Sequence, residues 1–376
     1  MKKYLSWVKH RLEYLYLRLA IIITSPRRHH IQMRQPLRKI LVVRLDEIGD
    51  MVLTTPFLRE LRRNYPYAEI TLVVKPAVYN LVELCPYIDK INIFTKANGR
   101  WAVFQNINRA KKFAYKELEQ DYDLAIVPRF DSDLDYMAGA IAFYTGAGRR
   151  VGYAPWVLPH KSKSDAGMEK FYTDFVPARD GVCHEVERNL DILRYLGCSI
   201  ENSNLELWID EHDEQVARKL LSTGKRQRLL VLVLSAGAKH KEWPVKNYID
   251  LIDFFRQENI LPVLVGAGDN TRAYADEFCR SCPESIDLIG KCSLRETYAV
   301  MKQCEMYLGG DTGPTHIAVA AGLSGVALFF TQHAPEFPIR FKPFNSHIRI
   351  LSAKYAISSD SNNVIPISAV INLLKR

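Results

Sequence analysis

The sequence predicts an α/β protein of two Rossmann-like domains facing a central cleft, each a parallel sheet flanked by helices. Three observations support this. The chain's 376 residues exceed what one hydrophobic core usually organises. Apolar runs alternate with helical stretches up to about residue 197, and the rhythm restarts after a polar stretch around 201–227. With 48% hydrophobic and 25% charged residues, and no short-period repeat, the composition can supply a core for both halves.

The first element is a basic segment. Residues 1–39 carry ten Lys/Arg against the single acid Glu13, which accounts for the whole net charge of +9 and leaves the remainder balanced. A nucleic-acid binder carries its basic surface on the folded body, so no nucleic-acid partner is expected. Leu5, Val8, Leu12, Leu15, Leu19 and Ile22 follow helical spacing, with Lys2, Lys3, Lys9, Arg11 and Arg18 between them and Trp7 and three tyrosines nearby. This pattern describes a basic amphipathic helix lying on an anionic membrane surface, and the same face could instead pack on protein. The apolar stretch from Leu12 to Ile23 is interrupted by Glu13 and Arg18, is too short to span a bilayer, and has no small-residue cleavage site after it.

A strand at about 40–44 then leads through RLDEIGDMVLTTP (44–56) into a helix from Phe57 to Asn64 and a strand from Glu69 to Lys75. Apolar runs at Lys90–Phe94 and Leu124–Val127 alternate with helices at about 107–119 and 134–144, and 184–197 closes the first half. In the second half, strands at Leu229–Leu234, Leu261–Val265 and Ile286–Leu288 alternate with helices at about 246–257 and 271–280. Strands at Met306–Leu308 and Val326–Phe330 bracket GGDTGPTHIAVAAG (309–322), and Val364–Lys375 suits a closing helix. The domain boundary is expected near 205–225, giving a membrane-surface segment 1–38, a first domain 39–210 and a second domain 211–376.

Seven cysteines, an odd and scattered set, suit reduced thiols in a cytoplasm. Cys279 and Cys282 form a C-x-x-C with no second pair at zinc-finger spacing, so no metal is assigned. Gly266-Ala267-Gly268 follows a strand, yet the third glycine position of a dinucleotide fingerprint is Thr271, and a Walker loop is absent.

Segment 309–322 reads as a strand-loop-helix turn whose backbone N–H groups could meet a phosphate. A capped helix with Asp311 or Thr312 near its start and His316 in the core fits the same pattern. Lys239-His240-Lys241-Glu242-Trp243-Pro244, beyond a second strand, could bring a lysine to that cleft or leave it solvated. Asp50 stands where open α/β sheets place ligands, after the first strand, where it could serve as a base or as an N-cap.

These residues carry a resemblance to glycosyltransferase family 9, the heptosyltransferases of the lipopolysaccharide inner core, from about residue 39 to the C-terminus. RLDEIGDMVLTTP is similar to the family's opening motif, Lys241-Glu242-Trp243-Pro244 to its K-x-W-P segment, and GDTGPTHIAVAAG to its D-T-G-x-x-H-x-A-A element. Gly290–Glu296 resembles its G-K-T-S-L-x-E stretch, and His184–Leu190 the helix closing its first domain. Gly266–Asn270 departs from the family's G-G-x-x-E loop in lacking the Glu, and residues 1–38 extend beyond the family's usual start.

The resemblance implies a GT-B fold, with acceptor held by the first domain and nucleotide sugar by the second, and an inverting transfer without metal or other cofactor. The expected reaction moves a heptose from ADP-heptose to a lipopolysaccharide core acceptor on the cytoplasmic face of the bacterial inner membrane. Other nucleotide sugars for surface polysaccharide, or sugar-nucleotide binding without turnover, are the alternatives. Such chemistry needs a base for the acceptor hydroxyl and positive charge at the departing diphosphate. Asp50 aligns with the family's proposed base, with Asp46 and Glu47 as second choices, and Lys241 faces the leaving group. Ser235, Lys241, Asp311, Thr312, Gly313 and His316 are expected on the donor side, and Gly49, Asp50 and Thr54 on the acceptor side.

Overall fold

The computed structural model describes residues 36–99, 102–133, 137–222, 227–330, 337–353 and 365–375. The basic amphipathic segment expected over 1–38 falls almost entirely outside the described residues. Among those described, no helix is long and apolar enough to cross a membrane.

The first sheet contains β1 (Lys39–Val43), β2 (Glu69–Val74), β3 (Lys90–Ile93), β4 (Leu124–Val127), β5 (Arg149–Tyr153) and β6 (Asp174–Val176), all parallel in the order β3-β2-β1-β4-β5-β6. The second contains β7 (Arg228–Leu232), β8 (Ile260–Leu264), β9 (Ile286–Asp287), β10 (Met306–Gly310), β11 (Ser324–Phe330) and β12 (His347–Ala353), parallel in the order β12-β11-β10-β7-β8-β9. Both are doubly wound, with the strand order reversing between β1 and β4 and between β7 and β10. Ligands bind such sheets beyond the carboxyl ends of the strands at that reversal.

The central strands read as continuous apolar runs because both faces are covered. Leu41, Val43, Ala125 and Val127 pack on helices Ala102–Lys116 and Ala138–Tyr144, while Ile40, Val42 and Ile126 face Thr55–Asn64 and Glu185–Tyr195. In the second sheet Leu230, Leu232, Leu264 and Leu308 pack on Ile252–Gln257, Asp269–Ser281 and Ile367–Leu374. The opposite face, with Val231, Val263 and Tyr307, joins the apolar layer of the first domain.

Two departures from the sequence reading matter for the site. The turn after β1 contains a short helix, Ile48–Val52, before Thr55–Asn64 begins. Its first turn forms because Asp50 Oδ2 accepts the Glu47 backbone N–H at 3.3 Å while Met51 and Val52 are buried. The polar stretch 201–227 also contains a helix, Glu211–Leu220, with reciprocal Asp210 and Asp213 side-chain caps. That helix packs on Leu294–Lys302, whereas Glu185–Tyr195 packs on Thr55–Asn64, so the connection between the sheets runs through 196–210. Arg59 and Arg63 fasten this connection to the first domain through Glu206 and Glu201.

Candidate active site

A cleft of about 720 Å³ opens between the domains at the two strand-order reversals. Its first-domain wall is Glu47, Ile48 and Gly49; Asp50, the next residue, is not itself among the residues that line it. The Asp50 side chain is 26% exposed, with Oδ1 4.0 Å from an Arg44 guanidinium nitrogen. Burial pushes its carboxyl above the usual range; Arg44 opposes this and Glu185 adds to it. Such a carboxylate has an increased proton affinity, as a base requires.

Both second-choice carboxylates are ion-paired. Asp46 is buried between Arg44, at 3.2 Å, and Arg129. Glu47 is exposed and pairs with Lys75. Thr54 is fully buried and does not line the cleft; its hydroxyl donates to the Asp50 carbonyl at 2.7 Å and accepts from Asn189 at 3.4 Å. It supports the turn that carries Asp50.

The second-domain wall is built from the segments that follow β7, β8, β9 and β10. After β7, Ser235 Oγ lies 2.6 Å from Thr271 Oγ1, which itself donates to the Ala267 carbonyl at 2.9 Å, so Ser235 donates to Thr271. Glu242 closes that loop, accepting from the Ala236 N–H at 3.2 Å and from the Tyr274 hydroxyl at 3.0 Å. Lys241 Nζ donates to Asp311 Oδ2 at 2.7 Å, which places the cation at the end of β10.

Helix Gly313–Ala320 begins beside this pair. Pro314 has no N–H, and the Thr315 N–H is turned to the Thr312 carbonyl at 3.1 Å. Thr312 and Gly313, at the start of the helix, carry the remaining early backbone N–H groups. The Thr312 hydroxyl oxygen is buried without a hydrogen-bond partner among the described residues, and both residues line the cleft.

His316 does not line the cleft. It is 4% exposed, with Nδ1 unpartnered among the described residues, and its ring lies under Gly49, where a Cβ would stand 3.0 Å from His316 Cδ2. Burial first, then His184 and Lys241, lower its pKa to about 3, so the ring is neutral. A Cβ on Gly313 would meet Ile48 Cβ and Cγ2 at 3.1 Å and Gly49 N at 3.3 Å. Glycine at both positions lets the two helices approach almost backbone to backbone, which fixes the spacing of the cleft walls.

The sequence reading missed the charged residues behind Asp50. Arg44 is 1% exposed, donates to the Pro128 carbonyl, and lies 3.7 Å from Glu185 as well as facing Asp46 and Asp50. Glu185 accepts from Arg340 of the second domain at 2.8 Å. The sequence signals were charged residues inside otherwise apolar motifs, Arg44 after Ile40–Val43 and Arg340 within Phe337–Phe341, since such residues are buried almost only when paired. Among the described residues no group of three or more His, Cys, Asp and Glu side chains could hold a metal ion.

Two doubly wound domains meeting across one cleft at their strand-order reversals define the GT-B fold. The family model described as glycosyltransferase family 9 (heptosyltransferase) matches residues 114–365, more than half of the chain. The chain belongs to this family and is a glycosyltransferase. Lipopolysaccharide heptosyltransferase 3 of Escherichia coli (strain K12) is 24% identical over 286 residues, covering 75% of this chain and 79% of that protein. Among solved structures, a family 9 glycosyl transferase from Veillonella parvula superposes with a TM-score of 0.72 at 22% identity, covering 90% of this chain and 96% of that one. The E. coli ADP-heptose lps heptosyltransferase II superposes with a TM-score of 0.66 at 17% identity, covering 90% and 97%.

Proposed function

We propose that the chain transfers a heptose from ADP-heptose to a lipopolysaccharide core acceptor, inverting the anomeric centre. One observation carries the chemistry: Asp50, directly after the Glu47–Gly49 wall, and a lysine held by Asp311 stand on the two sides of one interdomain cleft, each in the segment that follows a central strand. The names of the curated relative and of the second structural neighbour supply the donor and acceptor.

In the proposed reaction the acceptor hydroxyl oxygen attacks the anomeric carbon as its proton passes to Asp50, and the bond from that carbon to the diphosphate oxygen breaks. The negative charge gathering on the diphosphate is met by Lys241 and by the N–H groups of Thr312 and Gly313, so no metal is required. Asp311 sets the lysine's position. Ser235 and the loop it closes receive the donor, while Gly49 sets the approach of the acceptor side. His316 has a supporting part, holding the helix contact beneath Gly49. Residues 1–38 keep the enzyme on the anionic cytoplasmic face of the inner membrane, where a glycolipid acceptor resides.

A panel of ADP-, UDP- and GDP-sugars tests the reading, scored by thermal stabilisation and by sugar release. ADP-heptose should stabilise the protein and be turned over slowly. Selection of a UDP- or GDP-sugar would move the enzyme to another surface-polysaccharide step, and binding without turnover would remove catalysis.

A further inference from the structure

Arg340 belongs to the second domain, on helix Phe337–Phe341, but its side chain is built into the first. Its Nε donates to Glu185 Oε2 at 2.8 Å, and its two terminal nitrogens donate to Asp131 Oδ1 and Oδ2 at 3.0 and 2.7 Å. The guanidinium carbon lies 5.5 Å from the Phe130 ring centroid and 4.6 Å from that of Phe341, and the residue is 8% exposed. A second link runs parallel. His184 Nδ1 accepts the Val186 N–H at 3.2 Å, which leaves the proton on Nε2, and Nε2 donates to the Lys342 carbonyl at 2.9 Å.

Glu185 is 2% exposed and divided between cations of both domains, Arg340 on one oxygen and Arg44 at 3.7 Å on the other, with Arg188 also at 3.7 Å. Arg44 in turn lies 4.0 Å from Asp50. The charges therefore form one line, Arg340–Glu185–Arg44–Asp50, that begins in the donor domain and ends at the proposed base. Around it stand Asp46 with Arg129, Asp131 with His160 at 3.8 Å, and the neutral His316 beneath Gly49.

We propose that Arg340 is a positioning residue that couples contact between the two domains to the ionisation of Asp50. While the domains touch, Arg340 balances Glu185, and Arg44 remains available to Asp50. When they part, Glu185 keeps only the first-domain cations Arg44 and Arg188, draws Arg44 towards itself, and leaves Asp50 to bind its proton more tightly. The base is thus ionised at lower pH when the donor domain is docked. Both Arg340 and Arg44 favour the ionised Asp50 and Glu185 disfavours it, which agrees with this direction. The inference rests on the reading of Asp50 as base.

The test is the pH profile of kcat/KM for the full chain and for Arg340→Gln, Arg340→Lys, Glu185→Gln and Asp50→Asn, each with its melting temperature. Arg340→Gln should move the acid limb to higher pH, so that its loss of rate between neutral and mildly acidic pH exceeds that of the unmodified protein about threefold or more. Arg340→Lys, which keeps the charge, should restore most of the limb's position. Glu185→Gln should move the limb to lower pH. A uniformly slower Arg340→Gln with the limb in its original place would show that Arg340 only holds the domains together, and would overturn the coupling. If Arg340→Gln does not fold, Glu185→Gln decides, and an unmoved limb there overturns the coupling equally. Near-normal turnover by Asp50→Asn would instead sink the base assignment, so the two failures are distinguishable.

Discussion

Asp50→Asn separates a catalytic carboxylate from a structural one. The side chain occupies the third position of helix Ile48–Val52 and accepts the Glu47 N–H at 3.3 Å, an interaction that the Asn amide oxygen can keep. What Asn loses is the charge opposite Arg44 and the capacity to take a proton at neutral pH. Because burial raises the Asp50 pKa in the folded state, its contribution to stability is fully present below the unfolded carboxylate range and is lost as pH rises through the folded value. At neutral pH wild type carries that cost and Asn does not, so the variant should melt at the same temperature or slightly higher. Removal of a general base costs roughly a hundredfold to ten-thousandfold in rate, or about 3–5 kcal/mol of barrier. Turnover of the saturated enzyme, donor affinity by calorimetry and melting temperature should be measured together. The expected result is turnover down at least a hundredfold with the other two unchanged. A folded Asp50→Asn enzyme with near-normal turnover would refute the reasoning and direct attention to Glu47, which lines the cleft and pairs with Lys75, ahead of Asp46, which is held between two arginines.

Three further outcomes are expected. Lys241→Ala removes a charge-assisted partner of the diphosphate and leaves Asp311 facing it, so calorimetry should show nucleoside diphosphate binding weaker by about tenfold or more, with the fold intact. Unchanged affinity would pass the role to Lys239 or Lys246. Gly313→Ala places a Cβ 3.1 Å from Ile48 and 3.3 Å from the Gly49 backbone, so the helices must separate by a few tenths of an ångström; a stability loss of about 1–3 kcal/mol with reduced kcat/KM should follow, and full activity at unchanged melting temperature would show that the helix contact does not set the cleft. Deletion of residues 1–38 should abolish pelleting with anionic vesicles, and equal pelleting of both proteins would end the membrane-surface reading.

How far the fold could be read from sequence follows from where each element buries its side chains. β1, β4, β7, β8 and β11 lie inside their sheets, and Ile40–Val43 or Leu124–Val127 announce themselves as apolar runs. β5 (RRVGY), β6 (DFV) and β12 (HIRILSA) went unread because arginine or aspartate at half-buried positions of the first two, and histidine and arginine at exposed positions of the third, break their apolar runs. Helix Glu211–Leu220 lay hidden in polar sequence because only Asp213 and Ala217 are buried along it, leaving its reciprocal caps as the usable signal. Ser293 and Glu296 cap Leu294–Lys302 in the same way, within a motif read only for its likeness to the family.

The site divides along a similar line. Lys241 and Asp311 line the cleft and Asp50 follows its first-domain wall, positions that the family resemblance marked and strand spacing alone left open. Thr54 and His316 belong to the same motifs, yet one is sealed beneath the turn and the other beneath Gly49; a motif records which residues recur, not which of them face the ligand. Arg340 meets Glu185 across 155 positions and Asp131 across 209, and no local pattern specifies partners so far apart. What the sequence did carry was half of each interaction, a charge set among apolar neighbours that demands a partner without naming it. Because the partners come from different domains, the line of charges from Arg340 to Asp50 and the close approach of Gly49 to Gly313 both cross the boundary between the domains, and a sequence read element by element shows neither.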